Sequence, residues 1–426
     1  MTSPARLART IVRTTAVQPL EALIAQLPSS SGALAFVRGD DGLVGWGEAA
    51  RLEVSGAGRF EAARTWWQDL VAGWDVEDDL AVPGSGPVVF GSFSFDEDAV
   101  SVLVVPQVVL GRRDGASWLT TVDGTGPTVH PEPVRRPDGL RYSAGRTSVT
   151  AWHQVVEEAV RRIRAGSLAK VVLAYDLVAA AESDIDARYV LAGLAQRYPD
   201  CWAFAVEDLV GATPELLLRR TGDRVVSRVL AGTTGRGADV AADKAGLAAL
   251  LSSPKEREEH RYAVDSVAAA LEPFTRLLSV PSEPYVLELP NVAHLASDVS
   301  GVLDRPADAF ELVGALHPTA AVGGTPTDAA VRLIAELETA DRGRYSGPVG
   351  WVDACGDGEW GIALRCAQLT GRTARLFAGC GIVADSDADA EVAETLTKFV
   401  PVRDALEGVR GVRGERSRAT SSINWN

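Results

Sequence analysis

Leu376-Phe-Ala-Gly-Cys-Gly-Ile-Val-Ala-Asp-Ser-Asp-Ala-Asp-Ala-Glu-Val-Ala-Glu-Thr-Leu-Thr-Lys398 reads as a short strand, a tight glycine turn and a helix opened by Ser386 or Asp387 as N-cap. On that helix Glu391, Glu394 and Lys398 are spaced i, i+3 and i+7 and so share a face. Gly379 and Gly381 leave backbone N–H groups bare beside the positive end of a helix, which suits an anion. Two acids and a lysine aimed at one spot suit metal and carboxylate chemistry. A strand–turn–helix with a solvated charged face reads the same residues more simply.

Upstream, residues 348–353, 359–368 and 374–378 alternate with Gly-rich turns as a meander, preceded by helices over 307–316 and 328–338 around a glycine-rich loop, 317–327. Further back, a helix begins at Ser148, carries Val155, Val156, Val160 and Ile163, and ends at Gly166. A strand over 168–176, a helix over 184–197 and strands over 201–206, 215–220 and 224–230 follow. Helices over 240–252 and 255–278 are parted near Pro254. In the first 145 residues, 88–95, 100–113 and 117–122 read as strands, Trp66 and Trp67 as core, and 128–145 as an exposed connection. Antiparallel hairpins carrying several helices predict an α+β fold, not a doubly wound parallel sheet. Gly379-Cys-Gly381 lacks the third glycine of a dinucleotide fingerprint.

Apolar residues at 46% and charged residues at 23% of 426 describe an ordinary globular chain. A formal charge of -15 without a basic stripe argues against nucleic acid as a partner. The four cysteines, Cys201, Cys355, Cys366 and Cys380, show no C-x-x-C pairing, so neither zinc nor a disulfide framework is indicated. No apolar run approaches the ~18 residues of a membrane span, and the N-terminus lacks the apolar core of a secretory signal. A soluble cytoplasmic protein is expected. Lysine occurs only at 170, 244, 255 and 398 against a large excess of arginine. A desolvated lysine can lose its proton, whereas arginine effectively cannot.

In Lys255-Glu-Arg-Glu-Glu-His260, Glu256 and Glu259 repeat the i, i+3 spacing of Glu391 and Glu394. Paired carboxylates on two helices suit a hard divalent cation such as Mg2+; acids in a helix's first turn also stabilise it through the dipole. Lys170 interrupts an apolar strand, as a desolvated general base or as an edge lysine. Glu215 stands before Leu216-Leu-Leu, where a carboxylate either pairs with a cation or stays protonated as a general acid. Arg365 is a charge in an apolar strand that could fork onto a carboxylate. Tyr345 offers a phenolic hydroxyl. A lone histidine at a loop start, like His317, is more often structural.

In this order Lys170-Val-Val-Leu, Gly211-Ala-Thr-Pro-Glu215, Leu230-Ala-Gly-Thr233, Glu256-x-x-Glu259-His260, His317-Pro-Thr, Arg344-Tyr-x-Gly-Pro-Val-Gly350, Ala363-Leu-Arg-Cys-Ala367, Gly379-x-Gly-Ile382 and Glu391-x-x-Glu394-x-x-x-Lys398 resemble the chorismate-utilising enzymes. The resemblance covers residues from about 148 to 407 and is specific in its order; the region before 145 is not anchored by any motif. It implies a large, mostly antiparallel sheet packed with helices, like that of anthranilate synthase component I. It divides the chain into an N-terminal β-rich region packing on the core (1–145), a catalytic region (146–410) and a disordered tail (411–426).

The resemblance also implies Mg2+, with Glu259 and Glu391 as ligands and Glu256 and Glu394 supporting bound water. It places the substrate on Thr233, His317, Tyr345, Arg365, Gly379, Cys380, Gly381 and Lys398. Family members that use water are similar in having a lysine where Lys170 stands. That implies an isochorismate synthase subtype, with Lys170 as base and Glu215 as acid. The alternatives are a salicylate synthase, which also eliminates pyruvate, and a non-catalytic chorismate-binding protein. A monomer is implied, serving menaquinone or siderophore synthesis. Tyr175, Ala320, Ala388 and Cys380 depart from the family's usual residues, and every charged role remains filled.

Overall fold

Lys170–Ala180 is an almost wholly apolar strand of 11 residues, and its neighbour is the stretch that ends the meander. It runs antiparallel to Thr373–Ile382 in unbroken register from Val171 opposite Ile382 to Ala180 opposite Thr373. Cys366–Thr370, Leu209–Thr213 and Trp202–Val206 extend this sheet, and Leu34–Arg38 carries it into the N-terminal residues. In a second sheet Val292–Leu303, Arg224–Gly235, Leu216–Thr221, Gly358–Ile362 and Pro348–Asp353 lie side by side, with Val88–Ser92 next. The sheets count 13 and 10 strands in this computed structural model, which describes residues 9–20, 22–124, 130–237 and 239–408. Pairing is antiparallel apart from Ile11–Val17 with Asp75–Asp78 at one edge. The mostly antiparallel α+β architecture is the expected one, and strands from before residue 124 belong to both sheets.

Helices cover the sheets by burying one stripe each. Val149–Arg164 lays Trp152, Val156, Ala159, Val160 and Ile163 against the core. Ser148 caps it by accepting from Ala151 N at 3.2 Å, and Gly166 ends it at φ +82°. Trp67 is buried and donates its indole N–H to Asp353 O at 3.2 Å. No helix among the described residues is long and apolar enough to cross a membrane.

Two segments change sheets side by side. Leu209–Thr213 leaves the larger sheet and, after Pro214 and Glu215, continues in the smaller as Leu216–Thr221. Gly358–Ile362 leaves the smaller and, after residues 363–365, continues in the larger as Cys366–Thr370. Ile362 N donates to Glu215 O at 3.3 Å and Ala212 N to Arg365 O at 3.2 Å, so the crossings are laced together. Arg365 turns the second one with φ +46°. The single strand expected over 359–368 is therefore two.

Other expectations are corrected for local reasons. The helix expected to reach 278 stops at Leu271, because Pro273 offers no N–H and Thr275–Ser279 pairs with Val292–Leu303. That 12-residue partner strand was not anticipated. Pro106 divides 100–113 into Ser101–Val105 and Val108–Arg113. Within the expected connection 128–145, Arg141–Ala144 is an edge strand on Leu177–Ala180. Residues 128–129 and the tail 411–426 lie outside the described residues.

Candidate active site

Alternation puts Lys170, Val172 and Ala174 on one face of their strand, and Gly381 and Gly379 stand opposite the latter two. The lysine stem thus crosses a strip of sheet bare of side chains. A Cβ at Gly381 would fall 2.2 Å from Glu259 Oε1 and 3.0 Å from Lys170 Cε; one at Gly379 would lie 3.1 Å from the Tyr345 hydroxyl. Close approach is what these glycines supply. Gly381→Ala should push Glu259 off Lys170 and lower kcat by about 10²-fold, the usual cost of a ~1 Å misplacement. A folded variant by circular dichroism with near-parent turnover would contradict this.

The two glycines lie in a strand and not in a turn at a helix start, because the strand runs on to Ile382. Helix Ala388–Lys398 begins later, capped by Asp387, which accepts from Ala390 N at 3.0 Å. Bare backbone arises differently. Val172 N donates to Gly323 O and Ala174 N to Glu338 Oε1, both at 2.8 Å and away from the glycine strand. The N–H and C=O of their partners Gly381 and Gly379 therefore face away from the Lys170 strand. Pairing on that other edge ends at Cys366 opposite Phe377, and Gly379 O there accepts from Lys398 Nζ at 2.8 Å. Cys380 is corrected: period two turns its side chain to the opposite face, against Thr395, and its backbone pairs with Leu173.

Four carboxylates from two helices meet here with three of the chain's four lysines. Lys170 Nζ is 3.2 Å from Glu259 Oε1. Lys255 Nζ is 2.8 Å from Glu391 Oε1 and 3.6 Å from Glu256 Oε1. Lys398 Nζ is 2.6 Å from Glu394 Oε1, and Thr233 N donates to Glu256 Oε2 at 3.0 Å. Burial first, then the repulsion of Glu394, lifts Glu391 above the ordinary glutamate range, and burial with Glu259 does the same to Glu256. Burial is the largest influence on Lys398 and works against its charge, yet the charge and hydrogen bond of Glu394, together with Cys380, raise that lysine on balance.

Glu215 sits at the first sheet crossing, 4% exposed, with its N–H on Thr213 Oγ1 at 3.2 Å. Burial pushes its carboxyl up to about 8 against the pull of Lys170, Arg365 and Lys398, of which Lys170 is the strongest. The acid is therefore mostly protonated at neutral pH. Arg365, at the second crossing, is buried and donates from Nη2 to His294 Nε2 at 3.2 Å. Because arginine only donates, His294 Nδ1 carries the proton and gives it to Thr233 Oγ1 at 3.0 Å. His294 was missed in the sequence because its strand was missed. Tyr345 stacks on Phe377 with ring centroids 5.1 Å apart, beside Gly379.

His317 is a correction: its ring meets Phe60 and Phe95 edge-on, and Nε2 faces Phe95 O at 3.4 Å. At the C-terminal end of helix Ala309–Leu316, it packs on Phe60 of helix Arg59–Ala72 and on Phe95, in the loop after Val88–Ser92. His260 ties its helix to the second sheet through Ala231 O at 3.2 Å and Ser297 Oγ at 2.8 Å, and burial lowers it to about 4.

The donor set fits a hard divalent cation, since it is all carboxylate and draws on two helices. Among the described residues no three Asp, Glu, His or Cys side chains converge on one metal position. The Lys255 ammonium bridges the two helices instead, marking where positive charge is favoured.

A buried acid under the electrostatic influence of a buried lysine, on two mostly antiparallel sheets and beside carboxylates from two helices, defines an enzyme of small anionic substrates. The family described as chorismate binding enzyme matches residues 2–135 and 127–407, and the chain belongs to that family. It is 40% identical over 330 residues to the isochorismate synthase DhbC of Bacillus subtilis, covering 74% of this chain and 79% of that one. It is 34% identical over 401 residues to the salicylate biosynthesis isochorismate synthase of Pseudomonas aeruginosa, covering 86% and 83%. The crystal structure of DhbC from Bacillus anthracis superposes with a TM-score of 0.77 at 31% identity, covering 90% of this chain and 98% of that one.

Proposed function

We propose that the protein is a Mg2+-dependent isochorismate synthase, converting chorismate to isochorismate. The observation that carries this reading is Glu215: a carboxyl kept neutral by burial, with the Lys170 ammonium as the strongest cation acting on it. The names of the relatives support the same reaction.

Lys170 Nζ, as the free amine, takes a proton from a water whose oxygen bonds to C2 of the ring. The double bonds shift, the C4–O bond breaks, and Glu215 gives its proton to the departing hydroxyl. One water enters and one leaves, so substrate and product are isomers. Lys170 is fully buried, with Glu259 Oε1 3.2 Å from its Nζ. Arg365, held by His294, is placed for one substrate carboxylate, together with the Tyr345 hydroxyl, Lys398 and the outward N–H groups of Gly379 and Gly381. Glu259 and Glu391 would hold Mg2+, with Glu256 and Glu394 behind them; when bound, the ion supplies charge neutralisation and fixes the ring carboxylate.

Incubation with chorismate and Mg2+, followed by separation of products, tests the reading. Isochorismate without released pyruvate is expected. Salicylate with pyruvate would make it a salicylate synthase, and binding without turnover a chorismate-binding protein. A chelator should stop turnover and added Mg2+ restore it; activity that survives chelation would remove the ion from the reaction.

A further inference from the structure

We propose that Lys255 is a built-in counter-ion of the carboxylate cluster that a divalent cation must displace, so that this lysine sets how weakly the site takes metal. The inference rests on the magnesium reading above and goes beyond it to a residue with no assigned role there.

The three lysines of the cluster differ in freedom. Lys170 is 0% exposed within a strand. Lys398 is buried and holds both Glu394 and Gly379 O. Lys255 keeps 28% of its side chain exposed and stands in the first turn of its helix, behind Pro254 and the Ser253 cap. Its stem therefore has a path to solvent. The ammonium is also the one that joins the two helices, touching Glu391 from one and Glu256 from the other. The dipole of its own helix does not favour it there, since a cation at a helix N-terminus opposes that dipole. Carboxylates hold it, and Glu256, Glu259 and Glu391 are the charged groups that face it.

Glu391, with 3% of its side chain exposed, has this ammonium as its cationic partner. A divalent ion brings twice the charge to the same oxygens, and the lysine can swing outward as the ion enters. While Lys255 is in place the site is not competent for metal, and apparent affinity falls by the fraction of molecules in that state.

Binding of Mn2+ to the chelator-stripped full chain, without chorismate, reads this directly by electron paramagnetic resonance. Lys255→Met and Lys255→Gln should each bind Mn2+ at least about tenfold more tightly than the parent, as expected if most molecules carry the inward lysine. Both variants should also melt lower when metal-free and gain more on adding Mn2+. Lys255→Arg, which keeps the charge, should stay near the parent. If the parent binds Mn2+ and neither neutral variant binds it more tightly, the inference fails while the magnesium reading stands. If parent and variants all fail to bind, the magnesium reading falls and takes the inference with it.

Discussion

Glu215→Gln is expected to lose about 10²–10⁴-fold in kcat, the usual cost of removing a positioned general acid, and at the same time to melt at a higher temperature than the parent. The two effects have one cause. Burial holds the carboxyl at about 8 in the folded chain against 4.5 as its unperturbed value. The folded state therefore binds a proton that the unfolded state has released over this window. The stability linked to that proton is complete below about 4.5 and is lost as pH rises through about 8. At pH 7 the loss is on the order of 3 kcal/mol. Glutamine keeps the shape and neutrality of the protonated acid without that loss. Thermal melts of parent and variant from pH 6 to 9, alongside turnover, provide the check. A parent whose melting does not decline relative to the variant, or a variant with near-parent kcat, would refute the assignment. Parent activity should also decline above about pH 8 as the acid ionises.

Lys170→Met should lose activity by a similar ~10²–10⁴-fold, with the opposite effect on stability. Methionine fills much of the stem's volume but leaves Glu259 without the ammonium 3.2 Å away. Stranding one partner of a buried pair costs up to about 3–5 kcal/mol, and less here because 12% of the Glu259 side chain reaches solvent. Lower melting with abolished turnover is expected. The pair of variants separates chemistry from folding: both lose turnover, while one gains stability and the other loses it. A Lys170→Met protein that turns over at near-parent rate would exclude this lysine as the base.

What the sequence made legible was local. Glu256 with Glu259 and Glu391 with Glu394 are three residues apart on a helix, and Lys170 and Glu215 each stand out as charges in apolar surroundings. What it did not make legible was tertiary. Lys255 reaches Glu391 from a different helix, across 136 positions of chain, a pairing that no periodicity announces. His294 escaped because Val292–Leu303 mixes Ser, Asp and Gly into its alternation, so no strand was read there. Arg365 was read inside one continuous strand because it is flanked by apolar residues on both sides, Ile362-Ala-Leu364 before it and Cys366-Ala367 after it. His317 shows the converse: its place in an ordered motif suggested a substrate contact, and packing against Phe60 and Phe95 gave it a structural post.

The ion pairs of the site have a mechanical side. Lys170 belongs to the larger sheet, while Glu259 belongs to a helix tied by His260 to strands of the smaller one. Lys255 rides on that same helix, and Glu391 on the helix packed against Thr373–Ile382. Both pairs therefore stitch elements of one sheet to those of the other, and the stitches are the groups assigned to the proposed reaction. Any separation of the sheets there is then the same event as releasing the proposed base and carboxylates for work. Ionic strength, which weakens partly exposed pairs such as Lys255–Glu391, becomes a lever on how readily they part.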